Sequence, residues 1–141
     1  MEKAYKYRIY PNKKQQEIII KTFGCCRFVY NTYLAKRIEV YEASKETFSY
    51  IQCANDMKKL KDKLDWLKKV DSTALQSSLK DLDMAYQKFF KEYSGFPKFK
   101  SKKTHRFSYK SKCVNGSIQY CGKYIKLPKL GKVKTKNKLI P

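Results

Sequence analysis

Polar and apolar side chains alternate along residues 3–10, which predicts a short β-strand near the start of the chain. Ala4, Lys6 and Arg8 lie on one side of this alternation, and two tyrosines and an isoleucine lie on the other. The predicted strand therefore has one wet, basic face. Pro11 ends it, because proline cannot donate to a strand ladder.

Apolar residues then recur at helical spacing and predict a first helix that begins at Asn12. Asn12 suits the N-cap, and Gln15, three residues later, completes a capping box. Gly24 interrupts the helix and costs up to about 1 kcal/mol relative to alanine. It either kinks one long helix or forms the turn of a helix-turn-helix over residues 12–43. The sequence alone leaves both alternatives open.

Two further helices follow, each with a residue suited to its N-cap. The second begins after Ser49, whose hydroxyl can cap it, and the third begins after Asp71. The third has the most regular apolar stripe of the chain, formed by Leu75, Leu79, Leu82, Tyr86, Phe89 and Phe90. Three amphipathic helices predict a small bundle over residues 12–93, with these stripes as its core.

From residue 94 the pattern changes to a basic loop followed by short strands. Pro97 excludes a helix, and Asn115-Gly116 favours a hairpin turn. Alternation predicts strands at 106–110, 118–120 and 124–127, with a strand or tail at 134–138. Without a covering helix these strands make an incomplete antiparallel sheet, which the first strand could complete. The sequence therefore predicts an α+β protein whose β part is discontinuous along the chain.

The charge of the chain is distributed very unevenly. Its formal net charge is +21, and all twelve acidic residues lie at or before Glu92. Residues 93–141 carry fourteen Lys and Arg and no acidic residue. Such a segment repels itself unless a polyanion shares its charge, so nucleic acid is the partner that the composition favours.

The block Phe96–Lys103 interleaves aromatic rings with ammonium groups. Rings stack on bases at about 1–3 kcal/mol each, while lysines neutralise phosphates and release counterions. In the alternative reading, Phe96 and Phe99 anchor the loop on the bundle and the lysines are merely solvated. The low number of arginines argues against bidentate base readout as the main mode and favours recognition of backbone and shape.

The first turn of the third helix is a second candidate contact. Ser72, Thr73 and Gln76 lie where free N–H groups and the helix dipole favour phosphates, and Gln76 could also bond a base edge. The alternative is that they are ordinary capping and surface residues. Tyr50, in the first turn of the second helix, is open to the same two interpretations.

The sequence offers little chemistry beyond binding. The five cysteines include no C-x-x-C pair, so we expect reduced thiols, and only His105 with Cys113 and Cys121 suggests a metal at all. No carboxylate cluster, phosphate loop or nucleophile with a base is evident, so we expect no cofactor and no enzymatic activity. The chain has no span of apolar residues for a bilayer and no apolar stretch at its start, which predicts a cytoplasmic protein without a membrane partner.

Four blocks, in this order, resemble the N-terminal half of the TnpB (OrfB) proteins of bacterial insertion sequences. The first includes Phe23-Gly24-Cys25-Cys26-Arg27-Phe28-Val29-Tyr30-Asn31, and the others lie at 70–90, 95–100 and 125–131. Any one block is weak, but all four together are specific and cover almost the entire chain.

The resemblance implies an RNA-guided DNA endonuclease family related to type V CRISPR effectors and described historically as accessory transposases. In that family a wedge domain of β-barrel type holds guide RNA, and inserted recognition helices help it to read a duplex motif beside the target. The resemblance implies the same plan here: a helical bundle of recognition type inserted into a small, incomplete antiparallel β-barrel of wedge type. The expected domains are 1–11 and 94–141 for the wedge and 12–93 for recognition.

The expected partners are therefore a structured guide RNA and duplex DNA. The resemblance points to Tyr50, Ser72, Thr73 and Gln76 for the flanking duplex and to the basic block at 98–103 for RNA. The full set of candidate nucleic-acid contacts is Lys6, Arg8, Tyr50, Ser72, Thr73, Gln76, Phe96, Lys98, Phe99, Lys100, Lys102, Lys103, Arg106, Lys110, Lys129 and Lys132.

Members of the family continue into a RuvC-like nuclease with three catalytic acids and into a zinc ribbon with four cysteines. Because this sequence stops at Pro141, we expect a binding module whose C-terminal nuclease domain is missing, without the family's Mg²⁺ and Zn²⁺. Two alternatives stay open. One is a regulator that binds duplex DNA as a dimer through a helix-turn-helix at 12–43, with a turn at Gly24 and with Arg27 and Asn31 exposed. The other is an inert remnant of a decayed mobile element.

Overall fold

The computed structural model describes residues 4–92, 95–102 and 108–135, and in these ranges the chain is α+β, as predicted. Its elements, in chain order, are β1 (Ile9–Tyr10), α1 (Lys13–Ser44), α2 (Tyr50–Lys63), a short 3₁₀ helix (Asp65–Lys69), α3 (Ser72–Glu92), β2 (Gln119–Cys121), β3 (Tyr124–Leu127) and β4 (Gly131–Thr135). They fall into two compact units, a sheet unit within Met1–Lys21 and Lys112–Pro141 and a helical unit within Thr22–Ser111.

The sheet unit is built on four antiparallel strands in the order β1-β4-β3-β2. β1 pairs with β4, as the discontinuous sheet predicted from the sequence requires, with Ile9 opposite Thr135. The side-chain amide of Gln15 at the start of α1 donates to the carbonyl oxygens of Leu130 and Lys132, at 3.2 and 2.8 Å. These bonds connect the beginning of α1 directly to β4, across more than a hundred residues of sequence.

The strands differ in extent from their predictions. β3 lies where it was predicted, β2 is shifted by one residue, and β1 is limited to Ile9 and Tyr10 rather than the whole of 3–10. β4 begins at Gly131, before the predicted 134–138, of which 136–138 lies outside the described residues. The alternating pattern marks extended chain, but it does not say where a partner strand is present to make the ladder.

The hairpin prediction at Asn115-Gly116 was wrong in its partner strands. A turn does form there, with φ of 53° and 74°. Residues 108–110, however, form no strand, because Tyr109 and Lys110 contact residues of the helical unit instead. The rest of the predicted strand 106–110 lies outside the described residues. The hairpin that does form joins β2 to β3 through Gly122, whose φ of 73° suits glycine.

The helical unit has a continuous apolar core contributed by α1, α2, the 3₁₀ helix and α3. Its fully buried members include Val29, Tyr33, Leu34, Leu67, Leu75, Leu79 and Leu82. The predicted caps are confirmed: Asn12 and Gln15 bond each other reciprocally, as do Ser49 and Gln52. Phe90, which the stripe of α3 placed in the core, is instead largely exposed.

The structure decides between the two readings of Gly24. Residues Lys13–Ser44 form a single helix that passes through Gly24 without a turn. A Cβ atom placed at Gly24 would meet only the side chain of Arg27, at an ordinary contact distance of 3.7 Å. Gly24 therefore forms no turn between two helices, because packing along the rest of α1 outweighs the low helix propensity of glycine.

Within residues 4–92, 95–102 and 108–135, no helix is both long enough and apolar enough to cross a bilayer.

Candidate nucleic-acid interface

The basic segment 95–102 is held against α1 by the side chain of Asn31. The Lys100 backbone N–H donates to Asn31 Oδ1 at 2.7 Å, and Asn31 Nδ2 donates to the Lys100 carbonyl at 2.8 Å. Both polar groups of one amide are thus satisfied by one backbone residue. Such a two-bond contact fixes the position and the orientation of the segment at Lys100.

The Lys100 side chain is also engaged with α1. Its Nζ lies 4.4 Å from the centroid of the ring of Tyr30, a residue that is buried. This is the geometry of a cation–π interaction, which is strengthened where the ring is shielded from water. Lys100, predicted as a nucleic-acid contact, therefore anchors the segment to the helical unit through both its backbone and its side chain.

The neighbours of Lys100 point into solvent. Lys98 and Lys102 are exposed, and the ring of Phe99 is 55% exposed, which is high for so large an apolar side chain. Pro97, in contrast, is buried. The segment therefore presents an ammonium group and a ring side by side, with a second ammonium group three residues after the ring.

Phe96 behaves differently from Phe99. Its ring makes edge-on contacts with Tyr86 and Phe89 of α3, at centroid distances of 5.4 and 5.1 Å. This matches the anchoring role that the sequence analysis left open for the two rings. Lys103 and Arg106, predicted contacts from the same region, lie outside the described residues.

At the first turn of α3 a carboxylate is already in place. Asp71 is 3% exposed, and its oxygens accept from the N–H of Thr73 at 2.9 Å and from the Thr73 hydroxyl at 2.7 Å. The hydroxyl of Ser111 also donates to Asp71. The helix dipole therefore already faces an anion. Thr73 is occupied in capping, whereas Ser72 and Gln76 are exposed.

The other predicted contacts of the helical unit are less free than their sequence suggested. Tyr50 is half-buried and packs against the apolar core. Lys110 Nζ makes an ion pair with Asp81 Oδ1 at 2.9 Å, so part of its charge is balanced. Tyr109, which was not among the predicted contacts, is packed beside Phe23, and burial, with the nearby Asp71 and Cys26, raises the pKa of its phenol to about 12.

In the sheet unit the predicted contacts Lys6, Arg8, Lys129 and Lys132 are all exposed. Arg8 is held through its carbonyl, which accepts from the Thr135 hydroxyl at 2.8 Å, so its side chain remains available. Lys129 lies in the turn between β3 and β4 with a φ of 68°, the left-handed region. These four side chains are separate points of positive charge, each fixed by ordered backbone.

Sequence reasoning missed four residues that lie beside Lys132. Strand register places Tyr10, Tyr124, Lys126 and Lys134 on the same face of the sheet as Lys132, and all are exposed. The alternation along Tyr124–Leu127 and along Lys132–Thr135 carried this signal. It places tyrosine and lysine on one face of the strands and isoleucine and valine on the other face. Which residues of different strands share one row depends on register, which no single segment reveals.

The thiols and acids form no metal centre in the described ranges, where no group of three or more His, Cys, Asp and Glu could hold an ion. Cys113 and Cys121 are exposed, and the third member of the only suggested metal set, His105, is outside those ranges. Cys26 lies beside buried Cys25, and burial with that neighbour raises its pKa to about 12. Its thiol therefore stays protonated near neutral pH.

A family model named HTH_OrfB_IS605, described as a helix-turn-helix domain, matches residues 1–46. The chain is also 34% identical over 113 residues to the virulence protein VsdF of Salmonella dublin. That alignment covers 72% of this chain and 95% of VsdF.

Two longer relatives are named as RNA-guided DNA endonucleases. One, from Streptomyces pristinaespiralis, is 36% identical over 110 residues, which span 77% of this chain and 27% of that protein. The other, InsQ of Escherichia coli strain K12, is 34% identical over 137 residues, which span 95% of this chain and 33% of InsQ. The chain thus spans about a third or less of each of these two proteins.

Proposed function

Because the chain belongs to the TnpB (OrfB) family of insertion-sequence proteins, we propose that it is a nucleic-acid-binding module for a guide RNA and for the duplex beside its DNA target. Two relatives that it matches are named for RNA-guided cleavage of DNA. In such systems base pairing reads the target, while the protein holds the RNA backbone and reads a short flanking motif.

The observation that carries this proposal is the fixed basic segment at 95–102. Anchoring through Asn31 and Tyr30 leaves Lys98, Phe99 and Lys102 exposed on ordered backbone. The exposed ring of Phe99 thus lies beside one exposed lysine, Lys98, and near a second, Lys102. It gains a purpose where the ring stacks on a base and the lysines neutralise the neighbouring phosphates.

We also propose that the sheet unit belongs to the wedge-type part and most of the helical unit to the inserted recognition part. The bounds predicted from the sequence are 1–11 with 94–141 for the wedge and 12–93 for recognition. The order of elements supports this plan, since β1 precedes the three helices and β2 to β4 follow them. Exposed Ser72 and Gln76 at the start of α3 remain our candidates for the flanking duplex, together with Tyr50 and Thr73. The chain would act by binding rather than catalysis, in the cytoplasm.

The test is salt-dependent binding of a structured RNA hairpin and of a DNA duplex by the whole 141-residue chain. With roughly seven or eight neutralised phosphates, affinity should fall by about 10³–10⁴ between 50 and 200 mM salt. The double change Lys98→Ala with Lys102→Ala should weaken RNA binding by about tenfold or more and reduce the salt slope by roughly 2.

The matched control removes the same charge from an exposed part of α2, by Lys58→Ala with Lys59→Ala. If the segment is a binding site, the control should keep most of the affinity that the segment variant loses. Equal losses in the two variants would show only general attraction of a polyanion to a basic protein. A chain that binds neither nucleic acid at 50 mM salt would refute the proposed function.

A further inference from the structure

One face of the sheet is a continuous array of rings and ammonium groups. Tyr10 on β1 and Tyr124 on β3 are both paired with Lys134 on β4, so the three form a row with the lysine between the rings. In the next row on the same face Lys132 is directly opposite Lys126. The two tyrosines are 46% and 45% exposed.

The opposite face of the sheet explains why this array is turned outward. Ile125 and Val133, which alternate with the residues of the array along β3 and β4, are paired with each other and are buried. Because side chains alternate strictly along a strand, burying one face of the sheet commits the other to solvent. The exposure of the array is thus imposed by the fold and cannot be relieved by rotation of single side chains.

The array carries an unbalanced charge. Like charges directly opposite each other on neighbouring strands are destabilising, and Lys126 and Lys132 form such a pair. Among the described residues, none of the ion pairs includes Lys126, Lys132 or Lys134. A phosphate chain lying across the sheet would convert this repulsion into attraction.

We propose that this face binds single-stranded nucleic acid, with Tyr10 and Tyr124 each stacking on one base and with Lys126, Lys132 and Lys134 on the phosphates. The inference deepens the proposed function and depends on it, since it assigns one kind of strand to one surface. The two rings stand two strand spacings apart, about 10 Å, which is too far to clamp a single base between them. Each ring therefore takes its own base.

The use of rings for stacking also favours a single strand over a duplex. A base can stack on a protein ring only where its own face is open, and within a duplex both faces of every internal base are covered by neighbours. A single strand can splay its bases and lay them on successive rings, while its backbone follows the lysines. A duplex could use the lysines of this face but not its rings.

The experiment compares two variants of the whole chain with matched controls. The ring variant is Tyr10→Thr with Tyr124→Thr, which removes both rings and keeps residues that favour strands. Its control is Tyr41→Ala, since Tyr41 on α1 is similarly exposed. The charge variant changes Lys126, Lys132 and Lys134 to glutamine, and its control changes Lys58, Lys59 and Lys63 of α2. Far-ultraviolet circular dichroism and thermal unfolding check that each variant is folded.

The probes are a 12-nucleotide RNA without self-pairing, the same sequence as single-stranded DNA, and the corresponding blunt DNA duplex. The ring variant should bind both single strands at least about tenfold more weakly and the duplex within about twofold of the unchanged chain. Its salt slope should be unchanged, whereas the charge variant should lower the slope for single strands by about 2. The RNA and DNA arms show which sugar is preferred.

Ring-variant binding as tight as that of the Tyr41→Ala control would overturn the inference, and so would equal losses for single strands and duplex. In either case the unchanged chain would still bind nucleic acid, so the proposed function would stand. If the unchanged chain bound none of these probes, the inference would fall, and the proposed function would fall with it only if the structured RNA hairpin were not bound either. Photocrosslinking with 5-iodouridine in the RNA needs no variant: adducts should map to Tyr10 and Tyr124, and adducts elsewhere alone would contradict the proposal.

Discussion

The side-chain amide of Asn31 presents an N–H donor and a carbonyl acceptor in a single plane, the same pair that a neighbouring strand would offer. Lys100 uses both, through its own carbonyl and N–H. One amide therefore replaces a stretch of sheet in holding the basic segment to α1. At the scale of a residue, the nucleic-acid candidates divide into those that hold the surface in place, such as Lys100, and those that are free to contact a ligand, such as Phe99.

Asn31→Ala should therefore weaken RNA binding through the position of the basic segment and not through a lost contact with the RNA. Losing both hydrogen bonds frees the segment, so we expect an affinity loss as large as that of Phe99→Ala, about fivefold or more. Fluorescence anisotropy with a labelled RNA hairpin measures both changes. The double variant Asn31→Ala with Phe99→Ala should bind RNA no more weakly than the weaker-binding of the two single variants. Phe99 has no defined position once the Asn31 side chain is removed.

The control for this prediction is Asn55→Ala, which removes an exposed amide from α2. Independent, additive losses for Asn31→Ala and Phe99→Ala would count against a positioning role. So would a loss of affinity that only follows a fall in the thermal stability of the helical unit.

The cysteines should separate by reactivity in the folded protein. Cys113 and Cys121 are exposed, whereas Cys25 and Cys53 are buried and burial raises the pKa of Cys26 to about 12. The thiolate is the reactive form. At pH 8.5 iodoacetamide should modify two thiols of the folded chain and all five in guanidinium, as counted by mass spectrometry. Rapid labelling of Cys26 in the folded state would disprove this arrangement.

The raised pKa values of buried groups also predict how the free energy of unfolding changes with pH. The folded state holds the pKa of Cys26 at about 12 against 9.0 for a free thiol, and that of Tyr109 at about 12 against 10.0 for a free phenol. Both groups fold in the protonated form, so their contribution is full below pH 9 and is lost as pH rises toward 12. Chemical unfolding at pH 8, 10 and 11.5 should show falling stability, and the variant Tyr109→Phe should lose less of it.

Among the secondary-structure elements, the helices were predictable and the strands only in part. Asn12, Ser49 and Asp71 mark helix starts by chemistry confined to three or four residues, and all three caps are present. The pairing of β1 with β4 and the shared row of Tyr10 and Tyr124 depend on contacts between residues far apart in sequence. Local pattern cannot supply such contacts.

The candidate site was predictable to a similar extent. Composition located the basic segment, but the two contacts that hold Lys100 come from α1, about seventy residues earlier. Ser111 likewise contacts Thr73 and donates to Asp71 across about forty residues of sequence. The sequence thus predicted the type of side chain at the candidate site. Whether that side chain is bonded within the protein or exposed is decided by the fold.

The ion pairs made by two aspartates of α3 should contribute very different amounts to the free energy of unfolding. Arg37 pairs with Asp83 at 3.0 Å with the arginine side chain 4% exposed, while Lys110 pairs with Asp81 at 2.9 Å with the lysine 68% exposed. Asp83→Ala leaves a buried guanidinium without its counter-ion and should cost about 2–4 kcal/mol of the free energy of unfolding.

Asp81→Ala is the matched control, since the same change at an exposed pair should cost less than about 1 kcal/mol. Urea unfolding followed by circular dichroism measures both. Equal effects would mean that Arg37 is not stabilised by Asp83. The ring of Tyr86, 4.8 Å from the guanidinium carbon, would then be its main partner.

For the whole molecule, the dominant quantity is a net charge of +21 on 141 residues. Repulsion among so many like charges opposes the compact state and is screened by salt. A bound polyanion removes the repulsion more effectively than free ions do, and it also stabilises the fold by mass action.

The melting temperature should therefore respond to salt in opposite directions with and without a ligand. Alone, the chain should melt several degrees higher at 200 mM salt than at 20 mM, since screening weakens self-repulsion. With saturating RNA hairpin it should melt highest at 20 mM, where binding is tightest. Differential scanning fluorimetry over both salt series checks the prediction, and parallel trends would contradict it.

The pairing of Ile9 with Thr135 has a consequence for the order in which the protein is made. At about 5–20 residues per second, the ribosome completes β4 some 6–25 seconds after β1 has been synthesised. The helical unit, continuous from Thr22 to Ser111, can fold during that interval, whereas β1 must wait as an unpaired edge. The tyrosines and lysines of the sheet face are thus brought together only after β4 has been synthesised. Until then a nascent chain holds Tyr10 apart from its partners in that surface.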